Sequence, residues 1–293
     1  RRYDWRPMAS PEQTQANVCY RHPKVETAVA CSDCGRPICT ECMVFGAVGI
    51  KCPECAGQPT GMKAATTRAR GAAREGAGGI ATRALIALTV AGFLLQISDG
   101  GIRGVDSSAF REGALFGPLV AEGEWWRLVT AAYLHAGPVH LLLNMLMLWW
   151  FGQPLEALLG RARFLGIYAV SILAGSAGAL LINPEVPTVG ASGAVFGILG
   201  AGLILERGGT MVFGGAALMV VAFNVVLSFA IPNISIGGHF GGLAGGALAI
   251  LALTRFGRAH AAYGRLGLVG VAGLLGIGVL SIAIAYARVR GYA

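Results

Sequence analysis

The sequence predicts an all-α polytopic membrane protein with six core helices, a seventh helix after them, and a small soluble module in front. Three observations carry that expectation. Of 293 residues, 55% are hydrophobic and 13% charged, with a mean hydropathy of +0.62, a profile of helical membrane proteins rather than soluble domains. Apolar stretches recur near 84–97, 138–158, 162–182, 193–206, 210–229, 238–256 and 266–287, to be compared with the roughly 20 residues that cross a bilayer. All seven cysteines fall within the first 80 residues, where no long apolar run occurs.

Beyond a flexible N-terminus at 1–18, the front module spans 19–55. Its metal-ligating residues come as Cys19 and His22, Cys31 and Cys34, Cys39 and Cys42, and Cys52 and Cys55, each pair with two intervening residues. Eight such ligands suit two tetrahedral zinc sites. The short gap from Cys34 to Cys39 favours interleaved loops, with Cys19, His22, Cys39 and Cys42 on one ion and Cys31, Cys34, Cys52 and Cys55 on the other. A disulfide or dithiol module is the alternative, disfavoured by a cytoplasmic location that keeps thiols reduced. Four protein ligands per ion leave no open position for water, so both ions are expected to be structural, and so small a module needs such staples to fold.

Residues 56–82, rich in Ala, Gly, Thr and Arg, read as a flexible basic linker. The formal net charge of +8 looks like a nucleic-acid footprint, but much of it sits at Lys63, Arg68, Arg70, Arg74 and Arg83, just before the first span. Basic residues there favour a cytoplasmic flank and anionic headgroups, and no nucleic-acid partner is expected.

With the N-terminus inside, the cytoplasmic loops carry Arg161 and Arg163, then Arg207, then Arg255, Arg258 and Arg265. The short outer loops at 183–192 and 230–238 carry no Lys or Arg, as the positive-inside rule requires. Arg288 and Arg290 fall outside and depart from the rule, and His260 reads as a solvated residue of an inner loop.

This topology places two chemically notable residues at the same depth. Ser192 opens the fourth span and His239 lies at the start of the sixth, and both spans run inward from the outer face. The fourth is short: Ser192 to Leu205 is about 14 residues, or roughly 20 Å, some 10 Å less than the hydrocarbon thickness. Ser192 is therefore expected below the outer surface, where irregular backbone is tolerated only if buried in protein or lining a water-filled cavity. Gly193, Gly197 and Ala201 on one span, and Gly238, Gly242 and Gly246 on the other, form small-residue stripes that let two backbones approach closely. Each feature alone is compatible with packing; their coincidence in depth favours a nucleophile and its base.

The second span adds His140 and Asn144, four residues apart and so on one face. Acyl transfer needs donors aimed at the oxyanion of the tetrahedral intermediate; His140, Asn144 and the Ser192 amide at a helix N-terminus can supply them. Interhelical hydrogen bonding is the plainer role for such residues, and it is the reading adopted for His135, with an interfacial belt for Trp125 and Trp126. No acidic residue lies near His239 in sequence, so a Ser-His dyad is more economical than a triad, and a partner elsewhere stays open.

Taken together, Trp126-Arg127, His135, His140, Asn144, Gly190-Ala191-Ser192-Gly193, and His239 with Gly242 and Gly246 resemble the rhomboid intramembrane serine proteases over roughly 84–256. The resemblance implies that Ser192 is the nucleophile, His239 the general base, and His140 and Asn144 oxyanion-hole contributors, with no cofactor in catalysis. It implies transmembrane protein substrates, cleaved near the outer face after a small residue in an easily unwound segment, and a location in the bacterial plasma membrane. Phe196 stands where many members carry a tyrosine against the histidine, and the span at 266–287 looks like the family's six-plus-one arrangement. The ligand pairing of the front module resembles B-box zinc fingers, which makes that module a candidate site for a protein partner. On these grounds the domains run 19–55, 56–82, 83–256 and 257–293.

Two rival classes remain. A non-catalytic rhomboid-like client binder would need neither Ser192 nor His239, and a transporter should show internal repeats that are not evident here.

Overall fold

The computed structural model describes residues 18–45, 49–56, 79–255 and 267–292. The expected N-terminal tail, almost all of the linker, and the loop bearing His260 lie outside the described residues. The chain divides into two compact units, Arg1–Gly76 and Ala77–Ala293.

The first unit is made of short turns around its cysteines, with one small antiparallel pair, β1 (Val44–Phe45) and β2 (Ile50–Lys51), in which Val44 faces Lys51. Its buried core consists of Cys19, Cys31, Cys39, Cys42, Cys52 and, as the sole fully apolar aliphatic among the described residues, Ile38. So little apolar surface cannot offset the entropy of ordering the chain.

The described residues of the second unit are mostly helical. The first span, α1 (Ile80–Gly100), extends several residues beyond the expected 84–97 at both ends. A long loop follows, with short helices α2 (Ser108–Gly113), α3 (Gly117–Ala121) and α4 (Arg127–Thr130). The second span is α5 (Pro138–Met147), a wide π turn at Leu148–Gly152, and α6 (Gln153–Leu159). Pro154 explains the wide turn: it offers no N–H to close the regular ladder onto Trp150. The remaining helices are α7 (Arg161–Ile182), α8 (Ser192–Arg207), α9 (Ala217–Ala230), α10 (Ile236–Arg255) and α11 (Leu268–Val289).

Among the described residues, α1, α7, α10 and α11 are long and apolar enough to cross a membrane, and α4 with α5 and α6 forms a further candidate bent by 95°. The protein is thus a polytopic integral membrane protein. Helix α8, at 16 residues, is about 24 Å long and is short as expected. The fifth span departs from expectation: α9 starts at Ala217 rather than 210 and has 14 residues. Gly209, Gly214 and Gly215 in the connecting segment adopt positive φ, and the Glu206 carboxylate accepts the N–H groups of Phe213, Gly215 and Ala217 at 2.7, 3.0 and 2.9 Å. Those bonds satisfy the segment as a turn, so no helix is needed there.

Glu156 does similar work at the same end of the bundle, where Phe151 packs edge-on against Phe213. Its buried carboxylate accepts the N–H of Ala81 at 2.9 Å and both the N–H and hydroxyl of Thr82 at 2.8 Å, capping α1 from α6.

Helix α10 packs between α7 and α8. A Cβ on Gly242 would overlap the carbonyl oxygen of Gly193, and one on Gly246 that of Gly197. The small-residue stripes read from the sequence are therefore the contact itself, with backbone lying on backbone.

Candidate active site

Ser192 is the first residue of α8 and is half-buried. The chain leading to it is tied down at several points. Leu115 and Thr188 exchange backbone hydrogen bonds at 3.0 and 2.9 Å, and the Gly190 N–H donates to Ala131 at 2.9 Å. Gly190 has φ +129, and a Cβ there would stand 2.7 Å from His140 Cε1 and 2.9 Å from Nε2. Only glycine allows this approach. The Ser192 hydroxyl lies 3.8 Å from the same point, so the His140 ring and Ser192 Oγ border one small space.

The tautomer of His140 follows from its neighbours. The Ala136 N–H donates to its Nδ1 at 3.3 Å, so in the neutral ring Nε2 carries the proton and faces Gly190 as a donor. Asn144, one turn on and buried, gives one amide N–H to the His140 carbonyl at 2.9 Å and retains a second.

His135 is buried and braces the approach to the serine. Its Nε2 accepts the Ala191 N–H at 3.4 Å, and its own backbone is clamped by Gln96, whose side chain accepts from His135 N at 2.9 Å and donates to His135 O at 2.8 Å. The hydrogen-bonding role read from the sequence holds. Gln96 carries no sequence signal, since a lone amide in an apolar helix has no motif around it.

His239 is buried on the first turn of α10, next to Gly238. No hydrogen bond joins it to Ser192 among the described residues; packing brings the two segments together through Gly193 and Gly242. Such bonds are often long before substrate binds. Phe196, one turn after Ser192, stacks flat on the imidazole, with centroids 4.0 Å apart and planes 19° off parallel. At the edge of the ring, His239 Nδ1 lies 2.6 Å from the hydroxyl of Ser228 on α9. That partner escaped the sequence reading.

Beside Ser192 is a small recess of about 30 Å³, lined mostly by small residues that include Gly175, Ser176, Ala179, Ser235 and Gly238. Arg127, buried, holds the loop between the first and second spans through Glu124 at 2.7 Å and the carbonyls of Ala114 and Arg111 at 2.8 Å. Trp126 is half-exposed and donates to the Glu112 carbonyl at 3.0 Å.

In the front module the ligand groups meet as the spacing predicts: Cys19, His22, Cys39 and Cys42 form one set and Cys31, Cys34, Cys52 and Cys55 the other, with ligand atoms within 4.8 Å of one another in each. All seven thiols are free. Around a zinc ion with Zn–S near 2.3 Å, tetrahedral neighbours stand about 3.8 Å apart; Cys34 and Cys52 sulfurs are at 3.7 Å, and His22 Nδ1 lies 3.2, 3.5 and 4.0 Å from Cys39, Cys42 and Cys19. Burial alone would raise the Cys31 thiol, but backbone N–H groups, with that of Cys52 at 3.1 Å, bring it down to about 6. Cys42 moves the other way, to about 12, through burial and the neighbouring sulfurs of Cys19 and Cys39. Thiolates packed this tightly repel one another unless a cation sits between them, so both sets can hold a metal ion.

The fold and this site define a polytopic helical membrane protein with a half-buried serine and a stacked histidine at the ends of two closely packed helices. A family model described as the Rhomboid domain matches residues 122–256. Rhomboid protease GluP of Bacillus subtilis is 41% identical over 165 residues, covering 55% of this chain and 32% of that protein. YdcA of Bacillus subtilis is 42% identical over 134 residues, covering 44% of this chain and 67% of that protein. RHOMBOID-like protein 5 of Arabidopsis thaliana is 39% identical over 154 residues, covering 49% of each. The chain spans 32% to 67% of the length of these relatives, and it belongs to the rhomboid family.

Proposed function

We propose that the protein is an intramembrane serine endopeptidase that cleaves transmembrane segments of other membrane proteins near the outer face. Ser192 Oγ attacks the scissile carbonyl and His239 Nε2 takes its proton, returning it to the leaving amine. His140 Nε2–H, the free N–H of Asn144 and the Ser192 amide receive the oxyanion. The observation that carries this reading is the shared space in which the Ser192 hydroxyl and the His140 ring both border Gly190, one helix turn from an imidazole stacked on Phe196. The recess of small residues beside the serine suits a small side chain before the cleaved bond. The absence of Lys and Arg from the loops at 183–192 and 230–238 supports an opening toward the outer side of a bacterial plasma membrane and a cytoplasmic N-terminus.

The front module, on this reading, carries two structural zinc ions in a B-box-like pairing and offers a surface to a protein partner. Neither ion takes part in catalysis.

The test is cleavage of a model transmembrane substrate and labelling by a fluorophosphonate, comparing the parent chain with Ser192→Ala. Loss of both in the variant supports the reading. Retained cleavage, in a preparation free of host protease, overturns it in favour of a client-binding role.

A further inference from the structure

We propose that Ser228 is a positioning residue that fixes the tautomer of His239, an inference that rests on the protease reading above. Both side chains are buried, Ser228 at 2% exposure and His239 at 8%. The Ser228 hydroxyl has two close partners: His239 Nδ1 at 2.6 Å and the backbone carbonyl of Asn224, one turn back on α9, at 2.7 Å. A hydroxyl has one proton and a carbonyl can only accept. If Ser228 donated to Nδ1, its oxygen would face the Asn224 carbonyl with no hydrogen between them. Donation to Asn224 satisfies every atom, and it makes Ser228 Oγ the acceptor of an Nδ1–H bond. The neutral ring then carries its proton at Nδ1 and leaves a lone pair at Nε2.

That is the tautomer a base for Ser192 requires. When the Ser192 proton moves to Nε2 and Oγ bonds to the substrate carbon, the imidazolium keeps its Nδ1–H on Ser228. The Nε2 proton then passes to the leaving nitrogen, and the ring returns to its starting tautomer. Ser228, its proton held by a backbone carbonyl, fills the orienting place without a carboxylate. Phe196 fixes the plane of the ring from one side while Ser228 fixes its rotation in that plane from another helix. A serine bonded to the carbonyl four residues back is also a common local arrangement in helices, so the test must separate a tautomer effect from a packing effect.

Ser228→Thr keeps a hydroxyl able to bond back to Asn224, and Ser228→Val has nearly the same shape without it. We expect Thr to stay within a few-fold of the parent while Val loses about 10- to 100-fold in kcat with little change in KM, the range seen for partners that orient a histidine in metal sites. A second readout needs no cleavage: in the Ser192→Ala background with ¹⁵N-labelled histidine, assigned through His239→Gln, Nδ1 of His239 should be protonated and Nε2 not, with that preference lost in Ser228→Val. Equal kcat for Thr and Val, or a His239 ring protonated at Nε2 in the Ser228 protein, overturns the proposal. A parent chain that cleaves nothing would sink the protease reading, while the tautomer measurement would still decide the role of Ser228.

Discussion

Phe196 lies flat against His239, with ring centroids 4.0 Å apart and an interplanar angle of 19°, and the two residues come from adjacent helices. The stack holds the imidazole plane without any hydroxyl on the aromatic ring. Phe196→Tyr should therefore leave cleavage near the parent level. Phe196→Leu, which keeps much of the volume but not the flat face, should lower kcat by about 3- to 10-fold, corresponding to the roughly 0.5–1.5 kcal/mol of an aromatic pair. Steady-state cleavage of a transmembrane substrate checks both.

Gly242→Ala should damage both folding and activity. Its Cβ would overlap the Gly193 carbonyl, so α8 and α10 must separate, at a cost of about 1–3 kcal/mol for overpacking and on the order of 10²-fold in rate for a displaced base. Gly276→Ala on α11, where nothing lies within 4 Å of the new Cβ, is the control and should change neither. Thermal unfolding in detergent together with cleavage kinetics distinguishes them.

Glu156→Gln should lower stability by about 1–3 kcal/mol, because an amide offers one acceptor oxygen where three hydrogen bonds to Ala81 and Thr82 need two. The effect should appear in the melting temperature of the membrane unit, with KM unchanged.

Chelation, or Cys31→Ser with Cys34→Ser, should unfold residues 19–55 and leave the membrane unit folded, since the metal supplies the folding energy of the module alone. Metal analysis should give two zinc ions per chain. A value near zero in folded protein would remove the zinc reading.

Glu185→Cys, in the loop before Ser192, should react with an impermeant thiol reagent from outside intact cells, and Arg207→Cys, at the far end of α8, should not. The reverse pattern would put the site on the cytoplasmic side.

Much of this arrangement was legible in the sequence because its signals are periodic or local. Glycines four residues apart on α8 and α10 announce a backbone contact, His140 and Asn144 share a face by the same spacing, and the two-residue gaps of the front module announce interleaved ligand sets. What stayed hidden depends on long-range pairing. Ser228 sits in an apolar run with no pattern to mark it, and its meaning comes from a histidine on another helix. Glu206 and Glu156 look like ordinary charges at helix ends, yet Glu206 satisfies three donors of the segment that follows its helix and Glu156 three donors of a distant helix. The Glu206 turn also explains why hydropathy alone started the fifth span too early: Met211, Val212 and Phe213 are apolar, but the backbone there is already satisfied by a carboxylate.

The bare backbone contact at Gly193 and Gly242 makes the tolerance of the site one-sided. Where side chains separate two helices, a gap can shrink or grow as residues repack. Here atoms already touch at the smallest separation that peptide groups allow, so no substitution in the surrounding helices can bring the serine and histidine segments closer. Every structural change at this contact, whether from mutation, heat or a poorly matched bilayer, can act in one direction only, by opening it.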